Sequence, residues 1–557
     1  MAKSHFSSAR ISVAARIAML LWQLGVRHAY GVCGREIVPV WTALQGTRAP
    51  YGIVTRHMRH ENGAGFAAIG TWAATGRPAA VFCTTGPGLT NAITALESAR
   101  AAGTKLVLLS PLTPAAERGR LGIQATGPGG YSNPDLYVAG RTFDYVALLE
   151  SPEQLATLGG PLAGGFASAG GFLAHIAVPT TIQIELTDVL PVVPPVRRPA
   201  PGISPALADE LVELLRADPF AVWLGWGARR YAPAIRRLLD LTGAPAICSP
   251  RALGIADDHP AFLGVTGNGG HESLVEDLAA CRPRRTLVFG TPLGEATSGW
   301  HPGLVPPEGF VHVDLDADVF GRAYPQAPTL GVQADVGAVV DALLERSDRL
   351  VRRRLPRRRT PSPEPARASG RGVHPAALMV AIQRVLVDGT DMPIFADAAS
   401  AMFWGARLLV FDEPGRWFSE GTFGSMGWAG AAALGAASGR GGAAAAICGD
   451  GSMHMQDELN AAVSYGIRAI WIVMNDGGMG IVGAGMRAAG RTPEDVDYPP
   501  TDFAAVARAK GAAAASVTRE ADLDAALEAA RDADGPFLVD VAIDGSIAPP
   551  LGDRAKR

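Results

Sequence analysis

The stretch Gly449-Asp450-Gly451-Ser452 follows an apolar run, Ala443 to Cys448, that predicts a buried strand. A second apolar run, Ala469 to Met474, ends at Asn475-Asp476-Gly477-Gly478. Between the runs the sequence predicts a helix, because apolar residues recur at helical spacing and acidic residues suit its first turn. The apolar residues are Met455, Leu459, Ala462 and Val463, and the acids are Asp457 and Glu458. The segment therefore predicts a βαβ unit with two parallel strands.

Asp450 and Asp476 are predicted to emerge at the carboxyl edge of this sheet, where open α/β folds bind ligands. Their oxygens suit a hard cation such as Mg²⁺, which prefers one or two carboxylates together with phosphate oxygens. The neighbouring glycines would let a diphosphate approach the backbone, and Ser452 supplies a hydroxyl at the helix start. The pattern favours a metal-diphosphate site. A chance Gly-Asp-Gly is the alternative, because the chain has 67 glycines.

Two further segments carry polar or glycine-rich motifs. Near the amino terminus, residues 59–64 (RHENGA) precede an alanine-rich helix, and residues 84–91 (TTGPGLTN) follow a strand-like run, Ala79 to Phe82. Just upstream of the Gly-Asp-Gly strand, residues 420–427 (EGTFGSMG) form a predicted loop.

With the three motifs in this order, the chain resembles thiamine diphosphate (ThDP) enzymes of the acetolactate synthase type. The resemblance implies an α/β fold of three consecutive doubly wound parallel-sheet domains. We expect a pyrimidine-binding domain at residues 10–190, a middle α/β domain at 205–345 and a domain that binds diphosphate and Mg²⁺ at 373–547. The resemblance also implies a homodimer or homotetramer with active sites between chains.

The same resemblance implies roles for three residues around the cofactor's rings. Glu61 would be the catalytic carboxylate, which hydrogen-bonds the aminopyrimidine ring and so promotes loss of the proton at C2 of the thiazolium. Gly424 would offer its carbonyl to the exocyclic amine, and Met426 would wedge the cofactor into a bent shape. For Met426, ordinary core filling is the alternative.

The resemblance also implies the ligands of the metal and of the diphosphate. Asp450, Asp476 and the carbonyl of Gly478 would bind Mg²⁺, with Asn475 as the alternative ligand. The remaining expected ThDP contacts are Ser400, Gly449, Gly451, Ser452, Met479 and Gly480.

A narrower resemblance links the amino-terminal third to acyloin-forming ThDP enzymes such as the one in the scytonemin pathway. It rests on residues 59–68 (RHENGAGFAA), 84–91 and 148–152 (LLESP). Together with Met426, Met479 and Tyr131 in the expected pocket, it favours bulky or aromatic 2-oxo acids over pyruvate as substrates.

Two sequence features bear on the reaction. Protonating decarboxylases of this superfamily resemble one another in having a His-His pair in the first domain and a glutamate six places after the last motif asparagine. This chain has no histidine between His60 and His175, and Val482 stands six places after Asp476. An apolar site disfavours protonation and favours transfer of the acyl group to a second carbonyl. We therefore expect a decarboxylating carboligase, with a non-oxidative 2-oxo acid decarboxylase and a catalytically inactive ThDP-fold scaffold as alternatives.

The substrate pocket is expected to be soft and apolar, with walls that include Cys33, Tyr131 and Val482. The segment Gly129 to Pro134 stands where the family has a Phe-Gln-Glu region, so the acceptor pocket should differ. A buried structural thiol is the alternative for Cys33.

Composition agrees with a globular enzyme. The 557 residues are enough for about three domains, and 48% apolar with 18% charged residues is ordinary. Five scattered cysteines show no metal-like spacing, which favours a reducing cytoplasm. We see no leader-like segment and no apolar span of membrane length, so no membrane partner is expected.

Two linkers are predicted, at the proline-rich residues 191–201 and at the arginine-rich residues 352–372. The arginine clusters could bind nucleic acid, but the net charge of −3 and the lack of interleaved aromatic residues favour a solvated linker. Between the linkers, the middle domain shows no diagnostic phosphate loop. Relatives use this domain for FAD, for nucleotides or as a scaffold, so its cofactor content stays open.

Overall fold

The computed structural model describes residues 10–46, 52–127, 134–353, 372–455 and 458–551. The described residues form two compact units. The first unit consists of the described parts of 1–198, 430–443 and 456–469. The second unit consists of the described parts of 199–429, 444–455 and 470–557.

The first unit contains a six-stranded parallel sheet in the order β3-β2-β4-β5-β7-β6, and β1 pairs antiparallel with β8. The strands are β1 (Ile11–Ser12), β2 (His28–Gly31), β3 (Val54–His57), β4 (Ala79–Phe82), β5 (Lys105–Leu112), β6 (Tyr145–Leu148), β7 (Phe172–Pro179) and β8 (Leu186–Thr187). Both β4 and β5 are buried along their whole length, as expected for central strands of a parallel sheet covered on both faces.

The helices of this sheet's domain connect its parallel strands and cover its core. They are α1 (Val13–Gln23), α2 (Val38–Gln45), α3 (Glu61–Thr75), α4 (Pro87–Asn91), α5 (Ile93–Ala101), α6 (Gly159–Phe166) and α7 (Thr180–Gln183). The helix α1 begins after Ser12, whose hydroxyl accepts a hydrogen bond from the amide of Ala15 at 3.2 Å. Its residues Val13, Ile17 and Leu21 are buried in the core.

The second unit contains the middle sheet, which is parallel and has the order β11-β10-β9-β12-β13-β14. Its strands are β9 (Phe220–Leu224), β10 (Ala246–Cys248), β11 (Phe262–Val265), β12 (Arg285–Phe289), β13 (Phe310–Asp314) and β14 (Thr329–Gln333). Its helices are α8 (Pro205–Ala217), α9 (Ala232–Thr242), α10 (Leu274–Cys281), α11 (Glu295–Ser298) and α12 (Val336–Leu344). The helix α9 is amphipathic and buries Ile235, Leu238 and Leu239.

The third sheet has the order β16-β15-β17-β18-β20-β19. Its strands are β15 (Ile394–Ala396), β16 (Trp417–Ser419), β17 (Ala444–Gly449), β18 (Ala469–Asn475), β19 (Ala513–Val517) and β20 (Phe537–Ala542). The helices in this part of the chain are α13 (Pro375–Ile382), α14 (Ser400–Leu408), α15 (Trp428–Arg440), α16 (Asp450–Met455), α17 (Leu459–Tyr465), α18 (Gly480–Ala488), α19 (Phe503–Ala509) and α20 (Leu523–Asp532). Residues 430–440 of α15 and all of α17 belong to the first unit.

The fold class of three parallel-sheet α/β domains is confirmed. The strand predicted at Ala79 to Phe82 is confirmed without a shift as β4. All strands of the three sheets lie inside the predicted domain ranges, and the boundaries themselves stay a prediction. Among the described residues, no helix has both the length and the apolar character needed to cross a bilayer.

Between β17 and β18 the sequence predicted one helix, whereas the described residues form two, α16 and α17. The first begins at Asp450 itself, since its carboxylate suits the positive end of a helix and accepts a hydrogen bond from the amide of Gly451 at 2.8 Å. Glu458 directly precedes α17. Asp457 lies outside the described residues.

Candidate functional site

In the second unit, a cavity lies where the chain leaves β15, β17 and β18 at their carboxyl ends. Ten of the residues predicted from the sequence line it: Ser400, Met426, Gly449, Asp450, Gly451, Ser452, Asp476, Gly478, Met479 and Gly480. Because β17 and β18 are neighbours in the sheet, the two aspartates follow adjacent strand ends. The predicted convergence of the two motifs is therefore present.

Asp450 ties the two motifs together. It is 2% exposed, and its Oδ2 accepts hydrogen bonds from the amides of Gly477 at 2.8 Å and Gly478 at 3.1 Å. Its Oδ1 accepts the bond from Gly451. A buried carboxylate with three amide donors is held in one orientation.

Asp476 shares the cavity with Asp450, whereas Asn475 does not line it. The pKa of Asp476 is raised to about 7 by burial, and the charges of Asp450 and Asp497 raise it further. The side-chain amide of Asn475 donates instead to the carbonyl of Thr501 at 3.0 Å and to Asp540 at 2.9 Å. The geometry therefore favours Asp476 over Asn475 as the partner of Asp450.

Gly451 lies under two methionine side chains. A Cβ at this position would stand 3.0 Å from the Sδ of Met479 and 3.2 Å from the Cε of Met426. Because Gly451 has no side chain, both methionine side chains can lie close to its backbone, and a ligand can approach that backbone closely.

In the first unit, the two amino-terminal motifs meet at Glu61. Glu61 is the first residue of α3 and is 6% exposed. The side-chain amide of Asn91, the last residue of the second motif, donates to Glu61 Oε2 at 3.1 Å. A Cβ at Gly88 would lie 3.2 Å from Glu61 Oε1, so the glycine-rich loop packs directly on this carboxylate.

Three family models match the chain in order. The N-terminal TPP binding domain of thiamine pyrophosphate enzymes matches residues 11–128, the central domain matches 208–343, and the C-terminal TPP binding domain matches 397–541. A putative acetolactate synthase large subunit of Mycobacterium tuberculosis is 32% identical over 516 residues, which cover 88% of this chain and 91% of that relative. The chain belongs to the acetolactate synthase-like ThDP enzymes.

Other relatives are more distant but equally extensive. The large subunit of acetolactate synthase isozyme 1 from Escherichia coli is 27% identical over 568 residues, covering 96% of this chain and 94% of the relative. The large subunit of isozyme 2 from the same organism is 25% identical over 533 residues, covering 93% of each chain.

For a ThDP enzyme of this family, the cavity offers a suitable set of donors. Two carboxylates, Asp450 and Asp476, and the backbone carbonyl of Gly478 could bind a hard divalent cation, whose remaining ligands would be diphosphate oxygens and water. Burial is the main cause of the raised pKa of Asp476, and the neighbouring charges of Asp450 and Asp497, which raise it further, are charges that a bound cation would offset.

Two residues that contact this candidate site escaped the sequence prediction. Asp397 follows β15 and is fully buried, and it accepts hydrogen bonds from the amides of Gly427 at 3.1 Å and Ala429 at 2.7 Å. Burial raises its pKa to about 7, and its hydrogen bond with Ser452 lowers the pKa in part. Asp397 thereby holds the end of the loop that contains Met426. It also holds the side chain of Ser452, the residue whose hydroxyl was predicted to lie at the diphosphate. The signal was present, because the apolar run Ile394 to Ala396 ends at this aspartate.

Tyr498 is the second of these residues. Its hydroxyl donates to the carbonyl of Gly478 at 3.2 Å, and it is also hydrogen-bonded to Asp450. Burial raises the pKa of this phenol, and the charges of Asp450 and Asp476 raise it further, so the phenol stays a neutral donor. No pattern in the sequence predicts that the loop after α18 returns to this cavity.

Other predicted ThDP and substrate residues lie elsewhere or are not described. Gly424 is exposed with a φ of +83° and does not line the cavity. Val482 lies in the first turn of α18 and is 45% exposed, whereas its neighbour Ile481 lines the cavity. Cys33 is partly buried, and burial raises the pKa of its thiol. Tyr131 and most of the segment Gly129 to Pro134 lie outside the described residues.

Gln124 was not predicted. Its Oε1 accepts a hydrogen bond from the hydroxyl of Thr85 at 3.2 Å, and its Cβ is 3.0 Å from the position that a Cβ on Gly86 would take. Gln124 therefore lies against the glycine-rich loop that contacts Glu61.

Ala399, which lines the cavity, has a backbone conformation that normally requires glycine, with a φ of +86° and a ψ of −147°. Such a residue costs about 1–3 kcal/mol. We expect Ala399→Gly to raise the free energy of unfolding by about 1 kcal/mol, because relief of strain outweighs the added freedom of the unfolded chain. Chemical denaturation of the metal-free protein measures this.

Ala398 provides the matched control, because it lines the same cavity without a positive φ. Ala398→Gly should lower the free energy of unfolding by about 0.5–1 kcal/mol. Equal effects of the two substitutions would contradict strain at Ala399.

Proposed function

We propose that this chain is a ThDP- and Mg²⁺-dependent decarboxylating carboligase, which couples the acyl group of a 2-oxo acid to a second carbonyl compound. The product would be an acyloin or an acetohydroxy acid. The observation that carries the proposal is that Asp450, Asp476 and Gly478 line one and the same cavity. Together they offer the oxygen ligands expected for a Mg²⁺ ion that also binds a diphosphate. Relatives named acetolactate synthases support the carboligase class.

When bound, ThDP would supply the carbon nucleophile and the electron sink that decarboxylation of a 2-oxo acid needs. The residues of this chain would position it and control protons. Asp450 and Asp476 would hold the metal, and Ser452, whose side chain is hydrogen-bonded to Asp397, would line the position of the diphosphate. Glu61, buried and bonded to Asn91, would share a proton with the aminopyrimidine nitrogen.

The choice between coupling and aldehyde release depends on the available proton donors. His175, the first histidine after His60, is fully buried. Its Nε2 is hydrogen-bonded to the hydroxyl of Ser110 at 2.7 Å, and its Nδ1 to the carbonyl of Leu136 at 2.8 Å. Burial lowers its pKa to about 4, so it is neutral and engaged at neutral pH. His175 is therefore not available to protonate the product, which supports the expectation that the first domain has no histidine pair for this step.

A carboxyl group at position 482 tests this reasoning. Val482→Glu places a proton donor six places after Asp476 and next to Ile481, which lines the cavity, and we expect the aldehyde fraction of the product to rise several-fold as coupled product falls. Val482→Gln is the matched control, because it has nearly the same size and no comparable acid. Gas chromatography of the products measures both, and an equal rise in the two variants would contradict a role for the proton.

For the substrate, we propose a bulky or aromatic 2-oxo acid. Support comes from the apolar side chains of Met426, Met479 and Ile481 along the cavity. The narrower resemblance of residues 59–68 and 148–152 to acyloin-forming enzymes points the same way.

We also propose a homodimer or homotetramer in which Glu61 of one chain serves Asp450 of its partner. If so, mixing Glu61→Ala chains with Asp450→Ala chains should restore activity to about a quarter of the sites in a randomly mixed dimer population. Light scattering and activity of the mixture measure this. A fully active monomer would contradict the arrangement.

A further inference from the structure

In the first unit, the turn between β3 and α3 is held by a buried carboxylate from a distant part of the sequence. Glu458 is 1% exposed, and its Oε1 accepts a hydrogen bond from the amide of His60 at 3.0 Å. The amide of Arg59 lies 3.2 Å from its Oε1 and 3.1 Å from its Oε2. Both amides belong to the two residues directly before Glu61.

The first turn of α3 lies directly on the same carboxylate. A Cβ added at Gly63 would stand 2.1 Å from Glu458 Oε1 and 2.6 Å from its Cδ. Only a glycine allows this approach, so Gly63 and Glu458 fit each other sterically. The carboxylate therefore contacts the backbone on both sides of Glu61.

The residues after Glu458 hold the side chain of Arg59 and the end of β3. The Nε of Arg59 donates to Asn460 Oδ1 at 2.7 Å, and its NH2 donates to the hydroxyl of Ser464 at 2.8 Å. The amide of His57 donates to the hydroxyl of Tyr465 at 2.7 Å. We call Glu458, Asn460, Ser464 and Tyr465 the loop clamp.

Within the loop clamp, Glu458 differs from the other members because its carboxylate accepts hydrogen bonds from the backbone amides of both residues directly before Glu61. An ionised carboxylate that accepts backbone N–H groups makes charge-assisted bonds, which are stronger than neutral ones and fix the donors in place. These amides stand at the amino-terminal end of α3, where a negative charge is also favoured by the helix. Glu458 thus contacts the backbone of the two residues before Glu61 and that of Gly63 after it.

We propose that Glu458 is a positioning residue for Glu61: it fixes the start of α3 so that the Glu61 carboxylate meets the aminopyrimidine nitrogen in the orientation that proton transfer needs. The inference rests on the proposed function. In this role Glu458 acts through the backbone of Arg59 and His60 and needs no contact with the cofactor. A misplacement of a catalytic group by about 1 Å can slow a reaction by about 100-fold.

The first test uses the cofactor-free protein. Hydrogen–deuterium exchange of peptides that span residues 58–62 should be about tenfold faster in Glu458→Ala, because the amides of Arg59 and His60 lose their acceptor. Glu458→Gln keeps one oxygen acceptor and should show a smaller increase. Asn460→Ala is the matched control, since Asn460 binds the Arg59 side chain and neither amide, and it should leave this peptide unchanged. Unchanged exchange in Glu458→Ala would overturn the proposal.

The second test measures exchange of the C2 proton of ThDP at a saturating concentration, by NMR after acid quench. We expect the rate to fall about 100-fold in Glu458→Ala and less in Glu458→Gln, with ThDP affinity nearly unchanged. A purely structural role predicts lower stability or affinity with a normal rate at saturation. A normal rate in Glu458→Ala, or in Glu458→Gln if the alanine variant does not fold, would overturn the proposal.

The two tests separate this inference from the proposed function. If the unmodified protein binds no ThDP or leaves its C2 proton unexchanged, the proposed function fails, and the positioning role fails with it. If the unmodified protein exchanges normally and the Glu458 variants match it, the positioning role alone fails.

Discussion

Glu61→Gln should slow exchange of the C2 proton of bound ThDP by about 10²–10⁴-fold, the range that a positioned acid or base contributes. The amide of glutamine cannot share a proton with the aminopyrimidine nitrogen as the carboxyl group can. ThDP affinity and the fold should change little, because the amide can still accept the hydrogen bond that Asn91 donates to Glu61 Oε2. Quenched-flow NMR in deuterium oxide measures the exchange rate.

Glu185→Gln is the matched control for this experiment. It makes the same chemical change at an exposed glutamate of the first unit, so it should leave the exchange rate unchanged. A Glu61→Gln rate equal to that of the unmodified protein would remove Glu61 from proton transfer.

Asp450→Ala should abolish measurable binding of ThDP with Mg²⁺. Loss of a residue that only hydrogen-bonds a metal ligand lowers metal affinity by about 10–100-fold, so loss of a direct ligand should lower it by more. The substitution also removes the acceptor of the Gly477 and Gly478 amides. In the unmodified protein these two hydrogen bonds position the backbone of the second motif. Isothermal titration calorimetry of ThDP with and without a chelator measures both parts of the effect.

Two controls make the result specific. Asp450→Asn keeps an oxygen acceptor for the two amides and removes the charge, so it should fold normally and still bind ThDP weakly. Asp534→Ala alters an exposed aspartate of the second unit and should have no effect. Equal ThDP affinity of the unmodified protein with and without chelator would contradict the metal assignment.

The sequence predicted the fold and the convergence of the Gly449–Ser452 and Asn475–Gly478 motifs, because both depend on local patterns. Strands of a parallel sheet are continuous apolar runs, so β4, β17 and β18 were found to within one residue. The glycines and aspartates after them stand at strand ends, and their convergence follows from the parallel sheet alone. For this reason Asp450 and Asp476 were predicted together from the pattern alone, whereas Gly478 was named from the family resemblance.

Residues that reach the site from distant loops were not predicted. Tyr498 returns from an irregular segment, where no periodic pattern constrains the path of the chain. Glu458 was read as an acid that suits the start of a helix, but its hydrogen bonds go to Arg59 and His60. A contact across about 400 residues of sequence leaves no local signature. The structure adds a reason to prefer Asp476 over Asn475, because the side-chain amide of Asn475 donates to Asp540.

The most direct test of the carboligase is analysis of its products by mass spectrometry, with ThDP and Mg²⁺ supplied. Phenylpyruvate, indolepyruvate, a branched 2-oxo acid and pyruvate should be offered singly and in pairs. We expect mainly a coupled hydroxyketone or hydroxy acid, with aldehyde as a minor product and bulky or aromatic acids preferred over pyruvate. Stoichiometric aldehyde from any single acid, with no coupled product from any pair, would contradict the carboligase and identify a decarboxylase instead.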